Sequence, residues 1–226
     1  MKCTKKFKVK FLLWIIVKQL NQIKIMTLKN KLNIENQVEL ARLEEKISKQ
    51  KAIELWSGDF FKKHKAGTFD TLAKIHKNLF QDIYYFAGKL RDENISKGNF
   101  RFASALYLRE AVASVEKMPQ SNFDEIIEKY VEMNVAHPFR EGNGRSMRIW
   151  LDHIFKIEIG KVVDWSRVDK NKYLQAMERS PINDAEIKKV LAAALTDKID
   201  DREIFMKGLD ASYFYEDYFS YRSEEL

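Results

Sequence analysis

Twelve consecutive residues, His137-Pro138-Phe139-Arg140-Glu141-Gly142-Asn143-Gly144-Arg145-Ser146-Met147-Arg148, bring together a histidine, a carboxylate, two glycines around an asparagine, and two arginines three apart. Gly142 and Gly144 lack Cβ, so the backbone can turn sharply and approach a ligand closely. A helix starting near Gly144 would aim its first N–H groups and the positive end of its dipole into that turn. Arg145 and Arg148 share one face of that helix. Cations there oppose the dipole and repel each other, a poor arrangement for stability. It is a good one for clamping an anion, because guanidinium groups match phosphate oxygens in pairs. Glu141 is then an odd anion in a positive site. A Mg²⁺ ion carried by the phosphates accounts for it, since Mg²⁺ takes one or two carboxylates plus phosphate oxygens. His137 stands at the mouth with a side chain that can accept a proton near neutral pH. The chemistry is that of a bound phosphate chain with a base beside it.

Two apolar helical segments position this stretch, Phe123 to Ala136 before it and Ser146 to Ile157 after it. Ser121 or Asn122 can cap the first, with Asp124 and Glu125 in its first turn. Ile126, Ile127, Tyr130, Val131 and Val135 give it a buried face, a rigid support for His137. Met147, Ile149, Trp150, Leu151, Ile154 and Phe155 form a nearly continuous apolar surface on the second, the mark of a central helix, which Gly160 ends. Ile34 to Ile53 reads as a helix with Leu40, Leu43, Ile47 and Ile53 as its apolar stripe among charges. Phe69 to Phe86 reads as another, with Leu72, Ile75, Leu79 and Ile83 at core spacing. Ala111 to Met118, Lys170 to Arg179 and Asp184 to Leu195 are further helices. Between Gly88 and Leu108 the pattern changes. Lys97-Gly98-Asn99 is a turn signal and Phe100-Arg101-Phe102 alternates as a strand does. A lone hairpin in a helical protein is rarely a core element and more plausibly covers something. The aromatics read as core, Phe139 among them, and His64, His76 and His153 as ordinary polar loop residues.

The chain has 226 residues, 45% of them hydrophobic, enough for one domain with a sizeable core. Its single cysteine, Cys3, rules out an intramolecular disulfide framework and suits a reducing cytoplasm. The net charge of +7 is unevenly spread: residues 1–31 hold nine lysines and no acidic residue, so the rest carries −2. A basic body that binds nucleic acid is therefore not supported. The lysine-rich leader, residues 1–25, has an apolar run from Phe11 to Val17 that is too short to span a bilayer, with no small-residue cleavage site after it. It reads either as an amphipathic surface segment or as sequence upstream of a natural start at Met26, and the second is preferred. Near the other end, Gly208 is expected to end one helix and Asp210-Ala211-Ser212 to cap a short last one, with Ser212 and Glu216 four apart on one face.

The twelve-residue stretch resembles the Fic motif, HPFx[DE]GNGRxxR, at every specified position, Pro138 and Phe139 included. The resemblance implies an all-α Fic-type domain with one β-hairpin flap, over residues 26–209 with the flap at about 88–108. It implies a protein adenylyltransferase that moves AMP from MgATP to a Ser, Thr or Tyr hydroxyl of a target protein. His137 would be the base and Glu141 the Mg²⁺ ligand. Gly142, Asn143, Gly144, Arg145 and Arg148 would hold the nucleotide phosphates. Asn94, Ile95, Ser96, Lys97 and Gly98 look like the opening of the family's flap. With Phe100 and Phe102 they would dock an extended target segment by strand addition. The glycine-rich Gly142-Asn143-Gly144 favours nucleotidyl transfer over the phosphorylation of the related Doc kinases. Residues 210–226 resemble the inhibitory tail of short Fic proteins, [ST]xxxE[GN]. Ser212 and Glu216 match it, Asp217 departs from it, and Glu216 would pair with Arg148. A homo-oligomer that clamps or exposes this tail is compatible with the sequence. Three other readings remain open: transfer of a different nucleotide, removal of AMP by the same site, and a non-catalytic nucleotide-binding module.

Overall fold

The computed structural model describes residues 27–97, 100–215 and 221–226. The leader expected over residues 1–25, Gly98 of the flap turn, and Glu216 and Asp217 of the tail lie outside the described residues. The architecture is mainly α-helical, and among the described residues no helix is long and apolar enough to cross a membrane.

Helix α1 spans Gln37–Ser57, α2 Phe60–Lys63 and α3 Phe69–Phe80. The hairpin strands β1 (Ser96–Lys97) and β2 (Phe100–Arg101) follow, then α4 (Leu108–Glu116), α5 (Phe123–Ala136) and α6 (Asn143–Ile159). Strand β3 (Val162–Val163), α7 (Lys170–Arg179), α8 (Ala185–Ala192), β4 (Leu195–Thr196) and α9 (Arg202–Phe214) complete the order. Helix α6 is the centre. Met147, Trp150, Leu151, Ile154 and Phe155 are buried on it, and α3, α5 and α9 pack around it. Trp150 Nε1–H donates to Thr68 O at 3.1 Å, so its one polar atom is satisfied in the core. Asn36, Thr68, Asn122, Asp169 and Asp201 each cap a following helix through a side-chain oxygen.

Four sequence expectations need correction. The buried face of α1 is not the apolar stripe alone: Glu44, Glu45, Ser48 and Lys49 are buried with Leu40, Ala52 and Leu55, while Leu43 and Ile47 are half-buried. Helix α3 stops at Phe80 and does not run to Phe86. Strands β3 and β4 form a second antiparallel pair, Val162 opposite Thr196 and Val163 opposite Leu195. Two-residue strands so far apart in the chain leave no periodic trace. Gly208 does not end a helix: α9 runs through it, and the 209/210 boundary falls inside that helix. A Cβ on Gly208 would meet Trp165 Cδ1 at 3.2 Å, so the glycine admits close packing and does not terminate anything.

The C-terminal helix is docked by polar contacts. Lys49 Nζ, buried, pairs with Glu45 at 3.0 Å and with Asp210 of α9 at 2.9 Å. Tyr213 O–H donates to Ser48 Oγ at 2.7 Å. Removing one member of a buried ionic group strands its partners. Lys49→Ala should therefore cost about 3 kcal/mol in urea unfolding, and amide exchange should show α9 loosening first.

Candidate active site

Helix α5 ends at His137, whose backbone is left-handed (φ 48°, ψ 66°), a conformation rare for a residue with a side chain. This turn throws the imidazole out of the helix and toward a cavity of about 640 Å³. Nδ1 lies 3.3 Å from Asn134 O, a contact in which Nδ1–H donates, so in the neutral ring Nε2 is the accepting nitrogen. Phe102 from beyond β2 stacks on the ring, with centroids 3.7 Å apart and planes 19° apart.

The chain then turns into α6 at Gly142, which is left-handed at φ +77°. A Cβ here would also lie 2.4 Å from the Phe80 ring, so conformation and space both demand glycine. Unlike α1, α3, α5, α7 and α9, helix α6 has no side-chain cap. Helix geometry leaves the Asn143 and Gly144 N–H groups without an intrahelical acceptor, and both residues line the cavity. A bare helix start of this kind favours a negatively charged ligand.

The predicted residues divide among three surroundings. His137, Glu141, Gly142, Asn143, Gly144 and Arg148 share the cavity wall with Ile95, Ser96, Lys97, Phe100 and Phe102 of the flap. The Asn143 side chain is tied to Phe139, donating to Phe139 O at 2.7 Å and accepting from Phe139 N–H at 2.8 Å. Asn94 braces the flap from behind, accepting from Ala105 N–H at 2.8 Å. Arg145 does not line the cavity. Its buried guanidinium pairs with Glu44, lies 3.3 Å from Glu141 Oε1, and packs over the Phe80 and Tyr213 rings. Arg148 lies on the opposite flank. Its Nε donates to Ser212 Oγ at 2.6 Å and its Nη2 to Ser212 O at 2.8 Å. Tyr215 packs under the same guanidinium. Glu141 keeps one oxygen busy with Gly142 N–H at 2.9 Å and with Arg145, while its side chain is 43% exposed.

Several residues that hold the site left no recognisable signal in the sequence. His76 is not a loop residue: it is fully buried in α3, its ring 3.8 Å from that of Phe139. Gly88 N–H donates to Nδ1 at 2.9 Å, so the Nε2–H must donate to Glu141 O at 2.8 Å. That is a neutral imidazole, and burial pushes its pKa down to about 3. His153 is likewise buried, in α6. Glu44 bonds Arg145 and Tyr84 together from α1, where it resembles any solvated acid. Tyr130 and Tyr173 meet through their hydroxyls at 2.5 Å on the cavity wall, beside Leu174, Gln175, Met177 and Glu178 of α7.

Comparison with known proteins decides the family. A family model described as Fic/DOC family matches residues 67–155. The probable protein adenylyltransferase y4lH of Sinorhizobium fredii is 31% identical over 182 residues, covering 73% of this chain and 91% of that protein. This chain belongs to the Fic/DOC family. The protein adenylyltransferase VbhT of Bartonella schoenbuchensis is 30% identical over 175 residues, covering 72% of this chain. The match spans 35% of VbhT, about a third of its length. Among solved structures, the BepC protein of Bartonella tribocorum with bound AMPPNP superposes with a TM-score of 0.63 at 19% identity, over 75% of this chain and 92% of that one. The Fic fold of this chain is thus shared with BepC.

Two tests follow from the packing of the Fic loop. Gly142→Ala should lower stability by about 2–4 kcal/mol, from the left-handed backbone and the clash with Phe80 together. Gly160→Ala, at φ +65° with open space around it, should show the backbone part alone, about 1 kcal/mol. Urea midpoints compare the two. His76 binds its proton more weakly folded than unfolded, so its contribution is complete above pH 6.5 and erodes as pH falls toward 3. Between pH 6.5 and 4.5 the wild type should lose roughly 1.4 kcal/mol per pH unit more than His76→Asn, read from urea unfolding at each pH.

Proposed function

We propose that this Fic-family chain is a protein adenylyltransferase that transfers AMP from ATP to a hydroxyl of a target protein, and that its C-terminal segment holds it inhibited. One observation carries the reading. His137, the uncapped start of α6, Glu141 and Arg148 face a single cavity whose other wall is the flap. A base, an anion cradle and a strand edge are the three parts that AMP transfer to a protein requires. The two relatives described above are named adenylyltransferases, and BepC holds an ATP analogue, which supports ATP as the nucleotide.

The triphosphate lies against the Asn143 and Gly144 amides, where the helix dipole and unpaired N–H groups favour negative charge. Arg148 takes the terminal phosphates once it is released from Ser212. Arg145 supports Glu141 from behind and meets phosphate only by giving up Glu44. Glu141 offers the carboxylate for Mg²⁺, which when bound would neutralise phosphate charge. A target segment pairs with the flap and presents its Ser, Thr or Tyr hydroxyl. That oxygen attacks the α-phosphorus, the bond from it to the bridging oxygen breaks, and pyrophosphate leaves. His137 Nε2 takes the hydroxyl proton. The product is an AMP–protein phosphodiester.

Inhibition rests on the Arg148–Ser212 contacts. A guanidinium held by Ser212 is not available to a phosphate, and the Glu216–Arg148 pairing that the resemblance implies would add a negative charge to the site.

The test is label transfer in lysate from ATP labelled at the α- or the γ-phosphorus, comparing wild type, Glu216→Gly and His137→Ala. We expect α label alone, at least tenfold stronger in Glu216→Gly and absent in His137→Ala. Label from the γ position would make the enzyme a kinase. Equal α label in wild type and Glu216→Gly would sink the inhibitory role while leaving the transferase.

A further inference from the structure

A buried arginine usually has a carboxylate partner, because an unpaired charge is expensive to desolvate. Arg91, 5% exposed, has none among the described residues. Its guanidinium donates to four backbone carbonyls instead. Nε reaches His137 O at 2.8 Å, and Nη2 reaches Ala136 O at 3.1 Å and Ala103 O at 2.5 Å. Nη1 reaches Glu93 O at 2.7 Å, and the Arg91 N–H donates to Pro138 O at 2.9 Å.

These acceptors are not a random set. Ala136 and His137 close α5, where a helix leaves its last carbonyls without partners and carries the negative end of its dipole. Glu93 and Ala103 flank the hairpin on either side. One side chain therefore joins both feet of the flap to the backbone of the candidate base. Ala103 N–H adds a link to Val135 O at 2.9 Å. Phe102, next to Ala103, then lies flat on the His137 ring. The left-handed backbone of His137 is strained for a residue with a side chain and persists only if surrounding contacts hold it.

The geometry points to Arg91 as the positioning residue of this site: it locks the His137 backbone, Phe102 and the flap into one unit, so that the base and the target-docking edge keep register. This rests on His137 acting as the base in the reaction proposed above. No atom of Arg91 lines the nucleotide cavity, so its loss should act on turnover and not on nucleotide binding.

In a Glu216→Gly background, Arg91→Met should lower kcat for AMP transfer by about 10- to 100-fold, the scale expected of a misplacement of about 1 Å. The Kd for MgATP should change less than about threefold, given the separation from the cavity. Arg91→Lys should recover part of kcat, since an ammonium can serve some of the four carbonyls. A second readout is independent of activity. The His137 ring protons should carry an upfield ring-current shift from Phe102 in NMR, reduced in Arg91→Lys and lost in Arg91→Met. Wild-type kcat and an unchanged His137 shift in Arg91→Met overturn the inference, as does a parallel loss of MgATP binding, which marks a structural role. If Arg91→Met does not fold, Arg91→Lys decides alone: lowered kcat with a moved His137 resonance supports positioning, and wild-type values for both refute it. If the parent transfers no AMP, the proposed reaction fails, and the NMR shift still decides whether Arg91 positions His137.

Discussion

The site depends on one backbone constraint, the reversal between α5 and α6. Two left-handed residues, His137 at φ +48° and Gly142 at φ +77°, begin and end it. Between them Phe139 is driven into the core, and its backbone is tied on both sides by Asn143. Beneath them lie His76 and Phe80, the one donating to Glu141 O, the other filling the space a Cβ on Gly142 would need. The result presents an imidazole, a carboxylate and a bare helix N-terminus to one side while the Phe139 ring packs into the core on the other. Gly142 and Asn143 are thus partly architectural: they make the loop that leaves the start of α6 bare.

Two groups of buried polar contacts connect this loop to the rest of the molecule. On one side Glu44, Arg145, Tyr84 and Tyr213 join α1 and α9 to the back of the loop. On the other, Ser212 and Tyr215 hold Arg148, and Tyr215 stacks on Tyr173 at the cavity wall with centroids 5.2 Å apart. Both arginines of the motif therefore touch residues of the C-terminal segment. Buried ionic contacts are directional and give up much when one partner leaves, so such a segment tends to be either docked or released. The docking of α9 and the placement of both arginines therefore depend on each other.

How much of this the residues revealed in advance varied with the range of the interaction. The capped start of α5, the apolar run of α6 and the pleated alternation at Phe100 to Phe102 are local signals, and the elements stand where those signals put them. The burial of His76, Glu44 and Lys49 was not readable, because a polar residue on a helix is the same whether it meets water or a partner across the core. Gly208 reads as a stop by type, yet its neighbour Trp165 makes it a packing position. Arg91 lies in a polar stretch, Lys89-Leu90-Arg91-Asp92-Glu93, and nothing in its type distinguishes it from a solvated arginine.

What the sequence determined by itself was therefore the helical class, the family and the chemical types gathered between His137 and Arg148. Period, capping and a dense motif act over a few residues and need no knowledge of what lies opposite. Only the tertiary structure decided which of those residues face the cavity. Residues 145 and 148 look equivalent on paper, but one turns toward Glu44 and the other toward Ser212. A side chain goes where its charge finds a partner out of water, and those partners lie 101 and 64 residues away along the chain.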